Sequence, residues 1–282
     1  MIKEKIFIFS IKIIVFIIAL IIAGIFGYLL YRGFPVLSFE FIFLMPRDFM
    51  KEGGIFPAIL GTFLLVTISI SVALPFGLAT AIYLNEYKSK GFWADLIRVS
   101  INTLSGVPSV VFGLFGYGIF VNLFGLGVSL LSGALTLSIL SLPIIISSTL
   151  QALSSVPYSY REASMALGAT KWETIKRVVI PAAMPSILTA IILSIARVSG
   201  ETAPLLFTAC VFYQPKLPDS LLSPVMALPY HIYALISEGT EPEIHIPMAY
   251  GTAIVLFILV IILSSFAIIY REKRRKYDKV RV

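Results

Sequence analysis

Residues 99–160 read VSINTLSGVPSVVFGLFGYGIFVNLFGLGVSLLSGALTLSILSLPIIISSTLQALSSVPYSY and contain no Asp, Glu, Lys or Arg. A soluble chain has about a quarter of its residues charged, and it does not run 62 residues without one. A helix needs about 20 apolar residues to cross a bilayer, so the stretch holds two crossings, over 99–121 and 128–150, with a turn near Asn122 to Gly127. Working outward, further uncharged runs give spans over 13–31, 57–84, 178–207 and 246–270, the fifth of the six interrupted by Arg197 and Glu201. Lipid supplies no water to satisfy backbone groups, and alternating barrel strands would place polar residues at every second position, which these runs do not. The expectation is an all-α polytopic membrane protein with six transmembrane helices in a single domain over 1–282.

The whole composition agrees. Of 282 residues, 58% are hydrophobic and 13% charged, with a mean hydropathy of +0.96. A soluble domain of this size cannot hide so much apolar surface, which sets aside a soluble enzyme, a disordered tail and a nucleic-acid binder. Cys210, the one cysteine, excludes an internal disulfide framework and a cysteine cluster, and His231 and His245 are too few for a zinc site. No metal and no cofactor is expected. The first span follows Lys3, Lys5 and Lys12, as a secretory signal would. Its apolar core is longer than a signal's 7–15 residues and no small-x-small site follows, so it reads as a retained span.

The net charge of +7 is a topology signal. Lys and Arg number 17 in the amino terminus, the loop with Lys88, Lys90 and Arg98, the loop from Gln151 to Arg177 and the tail from Arg271; the opposite segments hold only Arg32, Arg47, Lys51 and Lys216. By the positive-inside rule both termini are cytoplasmic. With acids included, the cytoplasmic face nets +10, the outer face −3, and Arg197 and Glu201 cancel within the membrane.

The segment 158–176 is more than a connector. Ser159 with Glu162 and Thr170 with Glu173 are two S/T-x-x-E capping boxes in series, with Gly168 between them where a helix ends in a left-handed residue. Two short helices are expected on the cytoplasmic surface, offering Ala163, Ala166 and Leu167, then Trp172 and Ile175, as small apolar contacts. A partner protein suits such a surface. The local chemistry equally fits a Glu162 that only caps a helix in a loop packed on its own bundle.

The segment resembles the EAA loop of binding-protein-dependent ABC transporter permeases: Glu162-Ala163-Ser164, three residues, Gly168, nine residues, then Val178-Val179-Ile180-Pro181, with Ser164, Val178 and Ile180 as conservative departures. The resemblance implies the type I ABC-importer permease fold. It also implies a coupling helix at Glu162, Ala163, Ser164, Gly168, Thr170 and Trp172 that docks on a cytoplasmic ATPase. The chain has no phosphate-binding G-x-x-x-x-G-K-[ST] loop, so ATP hydrolysis requires a separate subunit and this chain is not itself an enzyme.

Arg197 and Glu201 stand four apart, on one helical face. An arginine at a helix centre costs about 2.5–3.5 kcal/mol to insert, so it faces a partner, the bundle interior or a water-filled path. A purely structural pair would serve to neutralise it. Against that, Gly200 and Pro204 loosen the helix, which a membrane tolerates only beside other helices or a cavity. A guanidinium can hold an oxyanion through two parallel hydrogen bonds, and a nearby carboxylate weakens the trap enough for release. The run Gly200-Glu201-Thr202-Ala203-Pro204-Leu205 looks like the G-E-T-A-P-L signature of the PstA family of phosphate-importer permeases. Leu74–Gly77, Ala81–Tyr87 and Ser105–Leu114 also resemble segments of that family. The resemblance implies phosphate import through Arg197 and Glu201 in a prokaryotic cell membrane. Its partners would be a PstC-like second permease, a PstB-like ATPase dimer and an extracytoplasmic PstS-like binding protein, besides membrane lipid and without nucleic acid. Import of another oxyanion such as sulfate or molybdate shares the machine. A secondary transporter or channel should show inverted repeats and needs no ATPase-docking loop.

Three further features are open to more than one reading. Pro75, Pro108, Pro143, Pro181, Pro185 and Pro204 suit either hinges or fixed kinks. Gly113, Gly116 and Gly118 read as close helix contacts in preference to a phosphate site, since no helix start follows them in the required way. The proline-rich outer loop 208–245 reads as a docking surface or an unstructured connector.

Overall fold

The computed structural model describes residues 2–87 and 91–280; Lys88, Lys90 and Arg281 of the charge count lie outside the described residues. The first helix, α1 (Ile2–Gly33), is apolar on every side, and the most apolar window of the stretch Phe7–Val36 is wholly unburied, as lipid-facing surface should be. It touches the rest through α12 (Pro242–Val280), by Phe26 on Phe257 at 4.9 Å and Tyr28 on Tyr250 at 5.8 Å between ring centroids. Between them in sequence the chain first makes α2 (Phe39–Phe43), started by the Ser38 hydroxyl accepting from the Phe41 amide at 3.1 Å. A two-residue hairpin follows, β1 (Pro46–Arg47) with β2 (Glu52–Gly53), its tip turned by positive φ at Asp48, Phe49 and Met50.

The bundle proper begins with α3 (Phe56–Ile82), which runs on as a π-helical turn over Tyr83–Tyr87. Next come α4 (Phe92–Ser105) and α5 (Ser109–Gly116), the latter prolonged by a π-helical segment to Leu123. The stretch read from sequence as one helix over 99–121 is therefore two, bent by 108°. Pro108 has no amide to continue the ladder and pushes Val107 out of helical geometry. The amides of Gly106 and Val107 instead close short turns on Thr103 and Leu104 at 3.0 and 3.3 Å. Then follow α6 (Leu130–Ser154), α7 (Tyr158–Ala166), α8 (Lys171–Thr174), α9 (Ile180–Ser199), α10 (Ala203–Thr208) and α11 (Leu228–Ser237). Among the described residues, five helices are long and apolar enough to cross a membrane, and the bent pair supplies a sixth crossing if counted as one span.

The central helix is α6, with 67% of its most apolar window buried, packed between α3 and α9. Several of its hydroxyls bond within the bundle, though that of Thr149 is buried without a partner: Thr136 donates to the Ser132 carbonyl at 2.8 Å, and Ser138 to those of Ala134 at 2.6 Å and Ser69 on α3 at 3.0 Å. Gly116 on α5 lies where any Cβ would overlap the Thr136 side chain, and a Cβ on Gly113 would stand 2.9 Å from Pro204 Cα, so these glycines serve close contact; Gly118 has open space. The proline-rich segment 208–245 is built into the bundle. Val225 pairs beside Cys210, the Leu228 amide donates to Thr62 Oγ1 on α3 at 2.8 Å, and Met226, Leu228 and Leu235 are buried with Ile55 and Met248.

Within α11, His231 is only 1% exposed and neither ring nitrogen has a hydrogen-bond partner. Burial, and then the neighbouring His245, push its pKa down from 6.5 to about 3. The unfolded chain then binds the extra proton between those values, so the stability held by a neutral ring is complete above pH 6.5 and is lost as pH falls toward 3. We expect thermal unfolding in detergent to shift down across that window, and His231→Leu to show a smaller shift than the parent chain.

Candidate functional site: the EAA-type segment and the broken helix

Two places break the regular helices with polar chemistry. The first is the segment 158–176. Its helix α7 starts one residue after Pro157, so Ser159 falls within the first turn and cannot cap it. The first of the two capping boxes therefore does not form, because proline sets the helix start before the serine. The second does: Thr170 Oγ1 accepts from the Glu173 amide at 3.3 Å while the Glu173 carboxylate accepts from the Thr170 amide at 2.9 Å. Gly168 has φ of +86°, the left-handed conformation that lets the chain turn between the helices. Ser164 and Thr174 hydroxyls meet at 2.9 Å and hold α7 on α8. Glu162, Ala163, Leu167 and Trp172 are exposed, Leu167 at 90%, whereas Ile175 is buried and contributes no surface.

Sequence reading missed what anchors this segment. Arg161, on the opposite side of α7 from the exposed face, reaches Glu86 at the end of the π turn after α3. Its Nη2 donates to Oε1 at 2.6 Å and its Nε to Oε2 at 3.1 Å. The same guanidinium donates to the Val156 and Leu153 carbonyls at 2.9 and 3.1 Å, closing the end of α6. Both side chains are nearly buried, 10% exposed for Arg161 and 7% for Glu86. Asn85 donates to Glu86 and accepts from Ser154, each at 2.8 Å, and Lys171 Nζ lies 4.8 Å from the Tyr87 ring centroid. Removing one partner of such a pair leaves an uncompensated charge, at a cost of about 3–5 kcal/mol.

The second place is the end of α9. The helix closes at Ser199, Gly200 caps it, and the chain restarts at Ala203 and Pro204 in α10. Glu201 thus sits just beyond the helix rather than on its face, yet still reaches Arg197, with Nε to Oε1 at 3.5 Å. The exposures differ sharply, 48% for Arg197 and 14% for Glu201, so the guanidinium is offered outward while the carboxylate is tucked in. The start of α10 lies on Gly113 of α5, which brings the two interrupted helices together. Nearer the EAA-type segment, α6 and α9 enclose a cavity of about 300 Å³ lined by Ser148, Gln151, Ser155, Ser186 and Thr189, with Arg271 donating to Thr189 at 3.3 Å.

Residues 73–276, which include both places, match the family described as binding-protein-dependent transport system inner membrane component. The chain belongs to that family. It is a multi-pass membrane permease of an ABC importer, and ATP hydrolysis lies in a separate subunit. Among its relatives, the protein named "Probable ABC transporter permease protein YqgI" of Bacillus subtilis (strain 168) is 36% identical over 263 residues, covering 89% of each chain. The phosphate transport system permease protein PstA 1 of Mycobacterium tuberculosis (strain CDC 1551 / Oshkosh) is 37% identical over 230 residues, 81% of this chain and 73% of that one. A crystal structure of a bacterial alginate ABC transporter with its alginate-bound periplasmic protein superposes with a TM-score of 0.68 at 17% identity, covering 94% and 93%. An inward-facing structure of the MetNI methionine transporter gives 0.62 at 16% identity, covering 84% and 99%. At such identities the likeness is one of fold, and the fold is that of type I ABC-importer permeases.

The two capping boxes make contrasting predictions. Losing a hydroxyl cap costs about 0.5–2 kcal/mol, so Thr170→Ala should speed hydrogen exchange of the Lys171–Thr174 amides about fivefold, while Ser159→Ala should leave α7 amides unchanged.

Proposed function

We propose that this permease imports inorganic phosphate, with Arg197 contacting the anion and Glu201 limiting how tightly it is held. The observation that carries the reading is the half-exposed guanidinium at the break between α9 and α10. Its Nε faces Glu201, and its two terminal nitrogens make no hydrogen bond among the described residues. Two parallel N–H groups match a phosphate edge in a way an ammonium cannot. Relatives 32–37% identical over most of the chain are named phosphate permeases, which supports the reading of the Gly200–Leu205 run by its resemblance to the PstA signature.

In this reading the chain pairs with a PstC-like permease to enclose one path, rests on a PstB-like ATPase dimer and receives phosphate from a PstS-like binding protein. The charge split of +10 and −3 supports cytoplasmic termini and a cytoplasmic segment 158–176. Glu162, Ala163, Ser164, Gly168, Thr170 and Trp172 form the coupling element. Closure of the ATPase dimer displaces it, and because it runs without a break through Ile175–Val179 into α9, the displacement reaches the helix that carries Arg197. The bundle then alternates between two openings, a two-state equilibrium biased by nucleotide.

Uptake by the assembled complex in vesicles tests both parts. Arg197→Gln should lower phosphate uptake about 10- to 100-fold, the worth of a charge-assisted hydrogen bond of about 1.5–3 kcal/mol; wild-type uptake would remove Arg197 from the path. Preference for sulfate or molybdate over phosphate would reassign the cargo while keeping the machine. Glu162→Arg, which reverses an exposed charge, and Gly168→Asp, which puts a side chain on a left-handed residue, should each release the ATPase from the purified complex and abolish uptake. Normal uptake in both would refute docking at this segment.

A further inference from the structure

We infer that the buried pair of Glu86 and Arg161 is the strut through which displacement of the coupling segment reaches the span Phe56–Tyr87. This rests on the ATPase-docking reading above and adds a second route to it. The segment is joined to α9 by the chain itself, through the π turn Ile175–Val179. To α3 it has no such covalent continuity: residues 87 and 158 are separated by α4, α5 and α6. A cavity of about 610 Å³ lies where α3, α6 and the segment meet, lined by Asn85, Glu86, Ser154, Arg161 and Lys171 among others. Beside the apolar cluster that holds Leu84, Leu153, Val156 and Val179, the junction is thus spanned by polar side chains, and the ion pair is what joins α7 to the end of the span Phe56–Tyr87.

The geometry suits a strut. Two parallel hydrogen bonds between a planar guanidinium and a planar carboxylate fix direction as well as distance, which a single contact to an ammonium does not. The two further bonds to Leu153 and Val156 carbonyls leave Arg161 no freedom to swing away, so α7, the end of α6 and the end of α3 are clamped at one group. Low exposure keeps water from competing. Glu86 and Arg161 are thus positioning residues: neither touches the path at Arg197, yet they decide whether α3 follows when the segment moves.

The test uses the complete complex, with its second permease, ATPase and binding protein, in vesicles, and reads anion transported per ATP hydrolysed. Glu86→Gln and Arg161→Lys should each retain the ATPase and its hydrolysis while transport per ATP falls about tenfold, within the range by which residues on a coupling network act. A variant that merely loosened the fold would lower both activities together and leave the ratio unchanged. Retention of the ATPase also separates this result from failure of docking, in which the subunit is lost. In the pair Glu86→Cys/Arg161→Cys the ratio should be low until a short thiol-reactive crosslinker, admitted by the adjoining cavity, joins the two positions, and should then rise severalfold. A wild-type ratio in Glu86→Gln, or a crosslinked pair whose ratio stays low, would overturn the strut. Should Glu86→Gln fail to assemble, the crosslinked pair decides alone.

Discussion

A bilayer core offers no hydrogen-bond partner, so every place where a spanning helix stops must be satisfied by the protein itself. That constraint explains why irregularity in this permease is so localised. Through most of α3, α6 and α9 the backbone is paired within the helix, and Ser and Thr hydroxyls fold back onto the carbonyl a turn earlier, as Ser69 does on Leu65 and Ser194 on Ala190. Where the ladder does break, at Gly106–Pro108 and at Gly200–Thr202, short turns take up the freed amides: Gly200 donates to the Arg197 carbonyl at 3.1 Å and Glu201 to that of Val198 at 3.3 Å. Pro108 closes the first break and Pro204 follows the second, each removing a donor that would otherwise be orphaned. The two breaks are then brought together by the packing of α10 on α5. Irregular backbone at membrane depth is tolerated where it is covered by protein or lines a cavity, and here it coincides with the ion pair at Arg197 and Glu201.

The same economy governs how motion can travel. A helix transmits displacement along its axis, but a segment of two short helices transmits it only if its joints are stiff. The capping box at Thr170, the Ser164–Thr174 contact and the Arg161 clamp supply that stiffness within a few residues. Yet the helices on either side meet the segment through π turns, Tyr83–Tyr87 and Ile175–Val179, and such turns are frequent at functional sites because their wider bonding can shift register locally. A stiff element bounded by adjustable turns can move as a body while its neighbours adapt, and a uniform helix or a floppy loop would do neither.

Much of this was readable in the sequence because it depends on local pattern. The absence of charge over 99–160 announces spans, Thr170 with Glu173 announces a cap, and Gly168 announces a left-handed turn; each is a rule about residues within a few positions. Gly200 and Pro204 likewise signalled the break before α10. Ser159 misled because two rules competed over the same three residues, and Pro157 fixed the helix start before the hydroxyl could. The 108° bend at Gly106–Pro108 went unread as a bend because hydropathy is blind to direction. The outer segment 208–245, open from its prolines to a docking surface or an unstructured connector, has Val225, Met226 and Leu228 buried against helices remote in sequence. Glu86 and Arg161 are 75 residues apart, and no periodicity links them. Their partnership exists only once α3, α6 and α7 have converged.

The contrast between the two arginines follows from how many of their donors the protein itself consumes. Arg161 makes four hydrogen bonds with its five donors, two to one carboxylate and two to carbonyls at a helix end, and is buried; so little remains for a ligand that the role proposed for it is mechanical. Arg197 has one longer contact with Glu201 and stays half exposed in a span that otherwise carries no charge until Glu201. Insertion of that charge into the membrane is unfavourable, and a single partner at 3.5 Å offsets it only in part. In the proposed function, an arginine kept in that state would gain from a passing oxyanion what its own fold does not provide, and the carboxylate beside it would keep that gain small enough to be given up.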